Sequence, residues 1–170
     1  MFSSLLSWGQ RDKLTNWAGN LEYGTARLSS ANAIEQVQEF VRKEKRLKVL
    51  GTRHCFNDIA NSTDQFLSLK AMDQAVVLDP DARTVTVQGG MTYGQLCPYL
   101  DSKGWALHNL ASLPHISIAG ACSTATHGSG EKNGNLATAV AAIEMVDAAG
   151  NVVTLSRGKD ETFHGAVVGL

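Results

Sequence analysis

The segment of this chain with the clearest chemical potential is Gly51-Thr52-Arg53-His54-Cys55-Phe56-Asn57. It follows the apolar pair Val49-Leu50 and opens with a glycine where a strand is expected to end. His54 offers an imidazole and Cys55 a thiol, and turns at strand ends are common positions for ligand contacts in α/β proteins. Taken alone, the pattern favours a hydrogen-bonded structural histidine over a ligand contact. The rest of the chain has to decide between the two.

The histidines do not have the spacing of a metal site. No HxH, HxxxH or HExxH pattern occurs, so we expect no metal ion to be bound. A hydrolase is also disfavoured, because the chain has no GxSxG motif. A Cys–His nucleophile pair is a poor interpretation of His54-Cys55, since adjacent side chains on extended backbone point apart. The five histidines are His54, His108, His115, His127 and His164.

Phosphate binding has better support in the middle third of the chain. Residues 105–136 carry few charges and many small side chains, which is unlike an amphipathic helix or a solvated linker. Gly120-Ala121-Cys122-Ser123-Thr124 and Gly128-Ser129-Gly130 combine hydroxyls with backbone N–H groups that a pyrophosphate could approach. Neither is a Walker A loop or a GxGxxG fingerprint. The sequence therefore predicts a nucleotide-type ligand held by a different kind of loop.

Composition narrows the remaining classes. The chain has 170 residues with 44% hydrophobic and 18% charged side chains, which is ordinary for a globular protein. Its 15 basic and 16 acidic residues give a net charge of -1, and no basic stripe favours a nucleic-acid or membrane partner. Three widely spaced cysteines, Cys55, Cys97 and Cys122, indicate a reducing compartment. With neither a signal peptide nor an apolar run of membrane length, we expect a cytoplasmic protein.

The elements that must position these groups alternate between strands and helices. Ser30 is predicted to cap a helix over 31–45, and Leu47–Leu50 then forms the strand that leads to Gly51. The β-branched alternation over 83–88 predicts a strand, and Thr92 caps a second helix that ends near Ser102. Further strands are expected at 66–69 and 75–78, a hairpin at 139–147 with 152–156, and a short helix over 160–168. Residues 1–15 are predicted to be an N-terminal extension.

Taken in order, several motifs resemble the FAD-binding (PCMH-type) domain of the vanillyl-alcohol-oxidase superfamily. Within it, the chain most resembles alditol (xylitol, sorbitol) oxidases of the aldonolactone-oxidase branch. Each motif is modest, whereas the ordered set, spread over residues 15–170, is specific. The motifs are Asn16-Trp17-Ala18-Gly19-Asn20, GTRHCFNDIA over 51–60, Val85 to Gly90, NLASLPHISIAG over 109–120, and Thr126-His127-Gly128-Ser129-Gly130.

The resemblance implies an α+β, two-lobed FAD-binding domain over 16–170, with a small βαβ-containing lobe and a larger mixed sheet with flanking helices. By position, His54 corresponds to the histidine that joins covalently to the 8α-methyl carbon of the flavin, a reaction for which a neutral imidazole is a competent nucleophile. Ser112 corresponds to the position near the reactive edge of the flavin, within reach of substrate. The cofactor-binding residues implied are Gly51, Thr52, Arg53, His54, Cys55, Ser112, Ser117, Gly120, Ala121, Cys122, Ser123, Thr124, His127 and Gly128.

The resemblance also implies an activity. An FAD-dependent oxidoreductase of this kind passes a hydride from a polyol hydroxyl carbon to flavin N5, and O2 then reoxidises the flavin to give H2O2. Cys55 departs from the family pattern, which has serine there, and a thiol is the weaker hydrogen-bond partner. We further expect a C-terminally truncated domain without its substrate domain, since members of the family continue beyond position 170. The alternatives are a catalytically silent flavin or nucleotide binder, and an aldonolactone oxidase or dehydrogenase.

Overall fold

The structure is a computed structural model, and it describes residues 13–169. Most of the predicted N-terminal extension therefore lies outside the described residues. Within the described part, Thr15 forms an antiparallel bridge with Glu22, and the backbone N–H of Tyr23 donates to the Leu14 carbonyl at 2.8 Å. Residues 14–23 thus form a closed loop that leads into the first strand.

Three parallel strands form the first sheet, in the order β1-β3-β2. They are β1 (Leu28–Ser30), β2 (Leu47–Val49) and β3 (Gln65–Ser68). The central strand β3 is the most buried, with Phe66 and Leu67 at 0% exposure. Continuous burial is expected of a strand that is paired on both edges in a parallel sheet. The predicted strands at 47–50 and 66–69 are confirmed within one residue.

Helix α1 (Ile34–Lys43) connects β1 to β2 and covers this sheet. Val37 is buried on its inner face, with Phe40 and Val41 packed beside it, as the helical spacing predicts. The predicted start is wrong: Ser30 is the last residue of β1 rather than a helix cap, and the cap position is Ala33. Ser30 is held in the sheet by its pairing with Ser68, and this tertiary contact overrides its local preference for capping.

Two antiparallel hairpins supply the other strands. Strand β4 (Ala75–Asp79) pairs with β5 (Thr84–Val87), and β6 (Ala142–Val146) pairs with β7 (Val152–Ser156). Both hairpins were predicted, although β6 begins three residues later than expected because Leu136–Ala139 form a turn of 3-10 helix.

Helix α2 (Tyr93–Asp101) follows β5 and agrees closely with its prediction. The Thr92 hydroxyl and the Gln95 side chain form a reciprocal capping box, in agreement with the cap predicted at Thr92. At the other end, Gly104 adopts a φ of 75°, which suits a glycine after a helix.

The low-charge stretch contains one further short helix, α3 (Ile118–Ser123), which the sequence does not predict. The last helix, α4 (Phe163–Val167), is shorter than predicted. Its expected first residue, Asp160, instead accepts a hydrogen bond from the backbone N–H of Ser156 at 2.6 Å, which holds residues 157–160 in a turn.

The hydrophobic core is divided between the two parts of the chain. One set of clusters lies on the parallel sheet, around Leu67 and Phe66. Another surrounds helices α2, α3 and α4, where Leu96, Ala121 and Phe163 are buried. Mixed helices and strands arranged in this way confirm the predicted α+β class. In the described residues, no helix is both long and apolar enough to cross a membrane.

Two adjacent glycines after β5 make a test of this packing. A Cβ atom on Gly90 would overlap the Leu69 carbonyl oxygen and lie 2.7 Å from the Met72 carbonyl oxygen, whereas one on Gly89 would meet only the Leu69 Cδ1 atom at 3.2 Å. Backbone cannot move aside as a flexible side chain can. We therefore expect Gly90→Ala to lower the free energy of unfolding by about 2–3 kcal/mol, as overpacking typically does.

The matched control is Gly89→Ala, which should cost less than about 1 kcal/mol. Urea unfolding followed by circular dichroism measures both variants. Equal stabilities of the two variants would show that the Gly90 contact does not exist as described.

Candidate functional site

The loop that carries His54 has an unusual backbone conformation at the preceding residue. Arg53 adopts a φ of 64°, in the left-handed region that non-glycine residues seldom occupy. Its guanidinium Nη1 donates to the Thr15 carbonyl at 2.8 Å, and its own carbonyl accepts the Trp17 N–H at 2.8 Å. These two contacts hold the turn and place the His54 side chain towards residues 15–17.

A buried asparagine joins the same two segments. Asn16 is 3% exposed, and its Nδ2 donates to the Cys55 carbonyl at 3.0 Å and to the Asn20 Oδ1 at 2.8 Å. Its Oδ1 accepts the Leu21 N–H at 3.1 Å. A buried amide is stable only when its polar atoms are paired, and here one side chain pairs with both segments. We call this arrangement the Asn16 clamp.

Three rings meet on the outer side of the clamp, and we call them the ring stack. The indole of Trp17 stacks on the imidazole of His54 with ring centroids 4.6 Å apart and an interplanar angle of 26°. The ring of His115 lies 4.6 Å from that of His54 and 5.9 Å from that of Trp17. The ring stack therefore joins three segments that are far apart in the sequence.

The environment of His54 favours its neutral form. Burial lowers the pKa of His54 below its ordinary value, and the positive charge of a protonated His115 lowers it further. Its Nε2 is buried without a hydrogen-bond partner. In the part of the chain that the structure describes, no three metal-ligating side chains converge, so the two imidazoles have no third ligand beside them.

Ser117 lies against the same loop from the opposite direction. It is 4% exposed, and its backbone N–H donates to the Thr52 hydroxyl oxygen at 3.3 Å. The Ser117 hydroxyl is buried without a partner. A Cβ atom on Gly51 would lie 3.0 Å from this hydroxyl oxygen, and one on Gly120 would lie 2.7 Å from it. Glycine at both positions thus leaves room for backbone to approach Ser117.

Ser112 is exposed, three residues before His115 in the segment that leads to α3. That segment is attached to the start of α2, because the N–H of Gly94 donates to the Pro114 carbonyl at 2.6 Å and that of Tyr93 to the Ile116 carbonyl at 3.1 Å. Helix α2 therefore determines where both Ser112 and His115 lie.

Residues 120–124 were predicted to form an open, hydroxyl-rich loop. In the structure, most of this segment belongs to α3. The Ser123 hydroxyl donates to the Ala119 carbonyl at 2.8 Å, and that of Thr124 to the Gly120 carbonyl at 2.9 Å. Backbone N–H groups of this segment are also used inside the helix, as when Ala121 donates to the Ser117 carbonyl at 3.0 Å. The small side chains here serve close packing, and fewer donors are free than the sequence predicts.

Cys122 and Ala121 face the core rather than the surface. Burial raises the pKa of the Cys122 thiol, although its hydrogen bond with Tyr93 acts in the opposite direction. Burial also raises the pKa of the Tyr93 phenol well above its ordinary value. Any contact between residues 121–122 and a ligand would therefore involve the backbone. The Cys55 thiol is likewise partly buried, and this burial raises its pKa.

His127 and Gly128 lie on the exposed side of the turn that follows α3. The His127 Nδ1 lies 3.0 Å from the Gly128 carbonyl oxygen. The turn is held by the Thr126 N–H, which donates to the Ala121 carbonyl at 3.0 Å, and Ala125 adopts a φ of 51°. His127 and Gly128 do not contact the ring stack directly. They are connected to it through α3 and Ser117.

Two cavities lie elsewhere in the described residues. One of about 700 Å³ is bounded by Lys45–Lys48, Asp58 and Asn61–Asp64, and one of about 450 Å³ lies beside Cys97 and Trp105. Neither includes His54 or Ser117. We place the candidate site at two of the unpartnered buried polar atoms, His54 Nε2 and Ser117 Oγ, since an extended ligand lying across loops needs no enclosed cavity.

Three residues of the site were not among the predicted site residues. Asn16, Trp17 and His115 all lie inside the motifs that carry the resemblance, but no role was predicted for them from the sequence. Only the folded chain shows that each of them contacts the His54 loop or ring. No local pattern in the sequence indicates these contacts.

Comparisons with known proteins identify the family of the chain. A family of FAD binding domains matches residues 24–156. The chain is 39% identical over 160 residues to an alditol oxidase of Streptomyces sp., covering 92% of this chain and 38% of that protein. It is 31% identical over 163 residues to the L-gulonolactone oxidase of Bos taurus, covering 93% of this chain and 37% of that protein. The chain thus spans less than two-fifths of the length of these relatives.

Among solved structures, the xylooligosaccharide oxidase from Myceliophthora thermophila C1 in complex with xylobiose is similar in fold. The TM-score is 0.72 at 19% identity, and the match covers 91% of this chain and 34% of that one. At this level of identity the likeness concerns the fold.

The Asn16 clamp leads to a stability prediction. Asn16→Ala removes three hydrogen bonds and leaves the Leu21 N–H and the Cys55 carbonyl without this partner, so we expect the free energy of unfolding to fall by about 2–3 kcal/mol. Asn16→Asp retains an acceptor for Leu21 but no donor for Cys55, and it should also be destabilised. Urea unfolding measures both variants. Asn109→Ala, at an asparagine whose Oδ1 accepts only the adjacent Leu110 N–H at 2.9 Å, is the control and should be near neutral.

The lowered pKa of His54 leads to a pH prediction. Between that pKa and the ordinary imidazole value of about 6.5, the unfolded chain binds more protons at this residue than the folded chain does. The free energy of unfolding should therefore rise with pH through this interval, and the contribution is lost as the pH falls through the folded pKa. His54→Gln should flatten the slope, whereas His108→Gln should not. Identical slopes in urea unfolding for wild type and His54→Gln would contradict the assignment.

Proposed function

The chain belongs to the FAD-binding-domain family of the vanillyl-alcohol-oxidase superfamily, and from this premise we propose that it forms the cofactor-binding part of an FAD-linked oxidase acting on a polyol. The observation that carries the proposal is the meeting of His54 with Trp17, His115 and the Ser117 segment. These are the predicted attachment residue and its neighbours, and they lie in a chain 39% identical to an alditol oxidase over 160 residues. Because this chain covers 38% of that relative, turnover and substrate remain part of the proposal.

The residues at the site fit FAD. Two buried polar atoms, His54 Nε2 and Ser117 Oγ, have no partner within the described chain. The glycines at 51 and 120 leave the space beside Ser117 open to close approach, which a pyrophosphate-binding surface requires. Thr52 and Arg53 would line the phosphates from one side. Ser117, residues 120–124, His127 and Gly128 would cover the phosphates and ribityl chain from the other, mainly through backbone groups.

Once bound, FAD supplies the redox chemistry: it accepts a hydride from the substrate carbon and is reoxidised by dioxygen to give H2O2. The contribution of this chain is to hold the cofactor and orient its reactive edge. Ser112, exposed on the segment held by α2, would lie near that edge and contact the substrate hydroxyl. This role follows from its position in the family motif and from its exposure.

Covalent attachment through His54 is the finer part of the proposal. The imidazole nitrogen would form a bond to the 8α carbon while one methyl C–H bond and the ring N–H bond break. Two protons and two electrons would be released in this reaction, and dioxygen would take them up as H2O2 by way of the bound flavin. The neutral form of His54, favoured by its burial, is the form that can act as the nucleophile. Cys55, whose thiol is protonated because burial raises its pKa, would not compete.

Two other functions share the same site. An aldonolactone oxidase is supported by the 31% identity to L-gulonolactone oxidase, and it differs from an alditol oxidase in its substrate. A flavin-binding module without turnover shares the cofactor and differs in activity. Oxygen consumption with xylitol or sorbitol supports the first proposal, consumption with an aldonolactone supports the second function, and retained flavin without consumption supports the third. A cytoplasmic location remains proposed, supported by the free thiols of Cys55, Cys97 and Cys122.

Retention of flavin after acid precipitation tests the cofactor assignment. We expect the 170-residue chain expressed with FAD to give a yellow pellet and His54→Ala to give a colourless one, because only a covalent bond survives unfolding. The control His108→Ala removes another imidazole and should retain the colour. The outcome is measured as the absorbance of the redissolved pellet at roughly 450 nm, where flavin absorbs. A colourless wild-type pellet, or equal colour in His54→Ala, would refute covalent attachment.

A further inference from the structure

We propose that Trp17 and His115 are positioning residues, which present the His54 imidazole to the cofactor in one orientation and in its neutral form. The proposal rests on the proposed function, since it concerns attachment of the flavin to His54. It extends that function to two residues that touch His54 rather than the reacting carbon. The observation behind it is the ring stack, in which both side chains lie within 4.6 Å of the His54 ring, centroid to centroid.

Packing in the hydrophobic core does not explain the position of the Trp17 side chain. It is 54% exposed, so the hydrophobic core does not hold it. It is held by its backbone, whose N–H donates to the Arg53 carbonyl at 2.8 Å, and by the Asn16 clamp beside it. A face-to-face stack on a fixed indole restricts rotation of the imidazole about its side-chain bonds. The position of the indole is therefore explained by the orientation it imposes on His54.

His115 acts through charge. Two imidazoles at this separation do not both carry a proton readily, because the second charge is repelled by the first. His115 is exposed and well solvated, whereas His54 is partly buried. The charge of His115 lowers the pKa of His54 in addition to the larger effect of burial. The hydrogen bonds from the Tyr93 N–H to the Ile116 carbonyl and from the Gly94 N–H to the Pro114 carbonyl keep His115 at this distance.

Other charged groups near the loop are engaged elsewhere. The Arg53 guanidinium is bound to the Thr15 carbonyl, and the Cys55 thiol acts on the Tyr23 phenol, whose pKa is raised chiefly by burial. In the segment that carries Trp17, the nearest ion pair is Lys13 with Glu22 at 2.7 Å, and it is exposed. Among the described residues, His115 is thus the titratable group whose charge acts on His54.

Two readouts on the full 170-residue chain test the proposal. The first is an NMR titration of the His54 ring in the protein without flavin. The second is the rate of acid-stable flavin formation with added FAD across a range of pH. The variants are His115→Asn and Trp17→Leu, with His108→Asn as a matched histidine control and Trp17→Phe as a conservative rescue.

We expect His115→Asn to raise the titration midpoint of His54 and to move the pH profile of attachment to higher pH. Attachment below the ordinary imidazole pKa of about 6.5 should then slow by about three- to tenfold, while the rate at alkaline pH stays within about twofold. Trp17→Leu should slow attachment by about tenfold at every pH, since it changes orientation rather than charge. Trp17→Phe should recover most of the rate, because it restores an aromatic face.

A titration midpoint and a pH profile in His115→Asn that match those of His108→Asn would overturn the role of His115. Attachment by Trp17→Leu at the wild-type rate would overturn that of Trp17. If His115→Asn does not fold, as judged by its NMR spectrum, His115→Gln supplies the same comparison. A wild-type chain that never forms acid-stable flavin overturns both the covalent attachment and the positioning role, whereas the titration without flavin still shows whether His115 controls the charge of His54.

Discussion

A single buried side-chain amide joins the two segments on which the candidate site depends. Asn16 pairs with the Cys55 carbonyl on one side and with Asn20 and Leu21 on the other. Together with the hydrogen bonds that Arg53 makes to Thr15 and Trp17, these pairings hold residues 15–17 against the loop after β2. Because the Asn16 amide is buried, breaking its hydrogen bonds leaves buried polar groups unpaired. The free-energy cost of these unpaired groups favours this one arrangement of the two segments. The Trp17–His54 stack exists because this clamp brings its two halves together.

A second constraint comes from the start of helix α2. Its first residues hydrogen-bond to the carbonyls of Pro114 and Ile116, and Ser117 in turn reaches Thr52 in the His54 loop. Elements from the two parts of the core thus meet at the loop that follows β2. Such a surface between sheet and helices is where α/β and α+β proteins commonly bind extended cofactors.

The sequence predicts an element correctly where the interactions that form the element are local in the chain. The helix cap at Thr92 and the β-branched strand at Thr84–Val87 depend on neighbouring residues, and the sequence predicts both. Ser30 was assigned to a helix cap because its local chemistry suits one, but pairing with Ser68 across the sheet places it in β1. The helix at Ile118–Ser123 was missed because its small residues have no helical periodicity. It forms where Met91 and Ser117 supply backbone partners from outside the segment.

The sequence by itself determined the family, because the order and spacing of the motifs can be seen without knowing which residues are in contact. The same motifs, rather than the local pattern at the glycine turn, led to the prediction that His54 is the residue attached to the flavin. Tertiary structure alone decided what surrounds that imidazole, namely Trp17 from 37 positions before and His115 from 61 positions after it. Stacking, burial and charge repulsion act through space, and a sequence records only distance along the chain. For that reason the chemistry of His54 could be suspected from its neighbours in sequence, but its orientation and protonation follow from its neighbours in space.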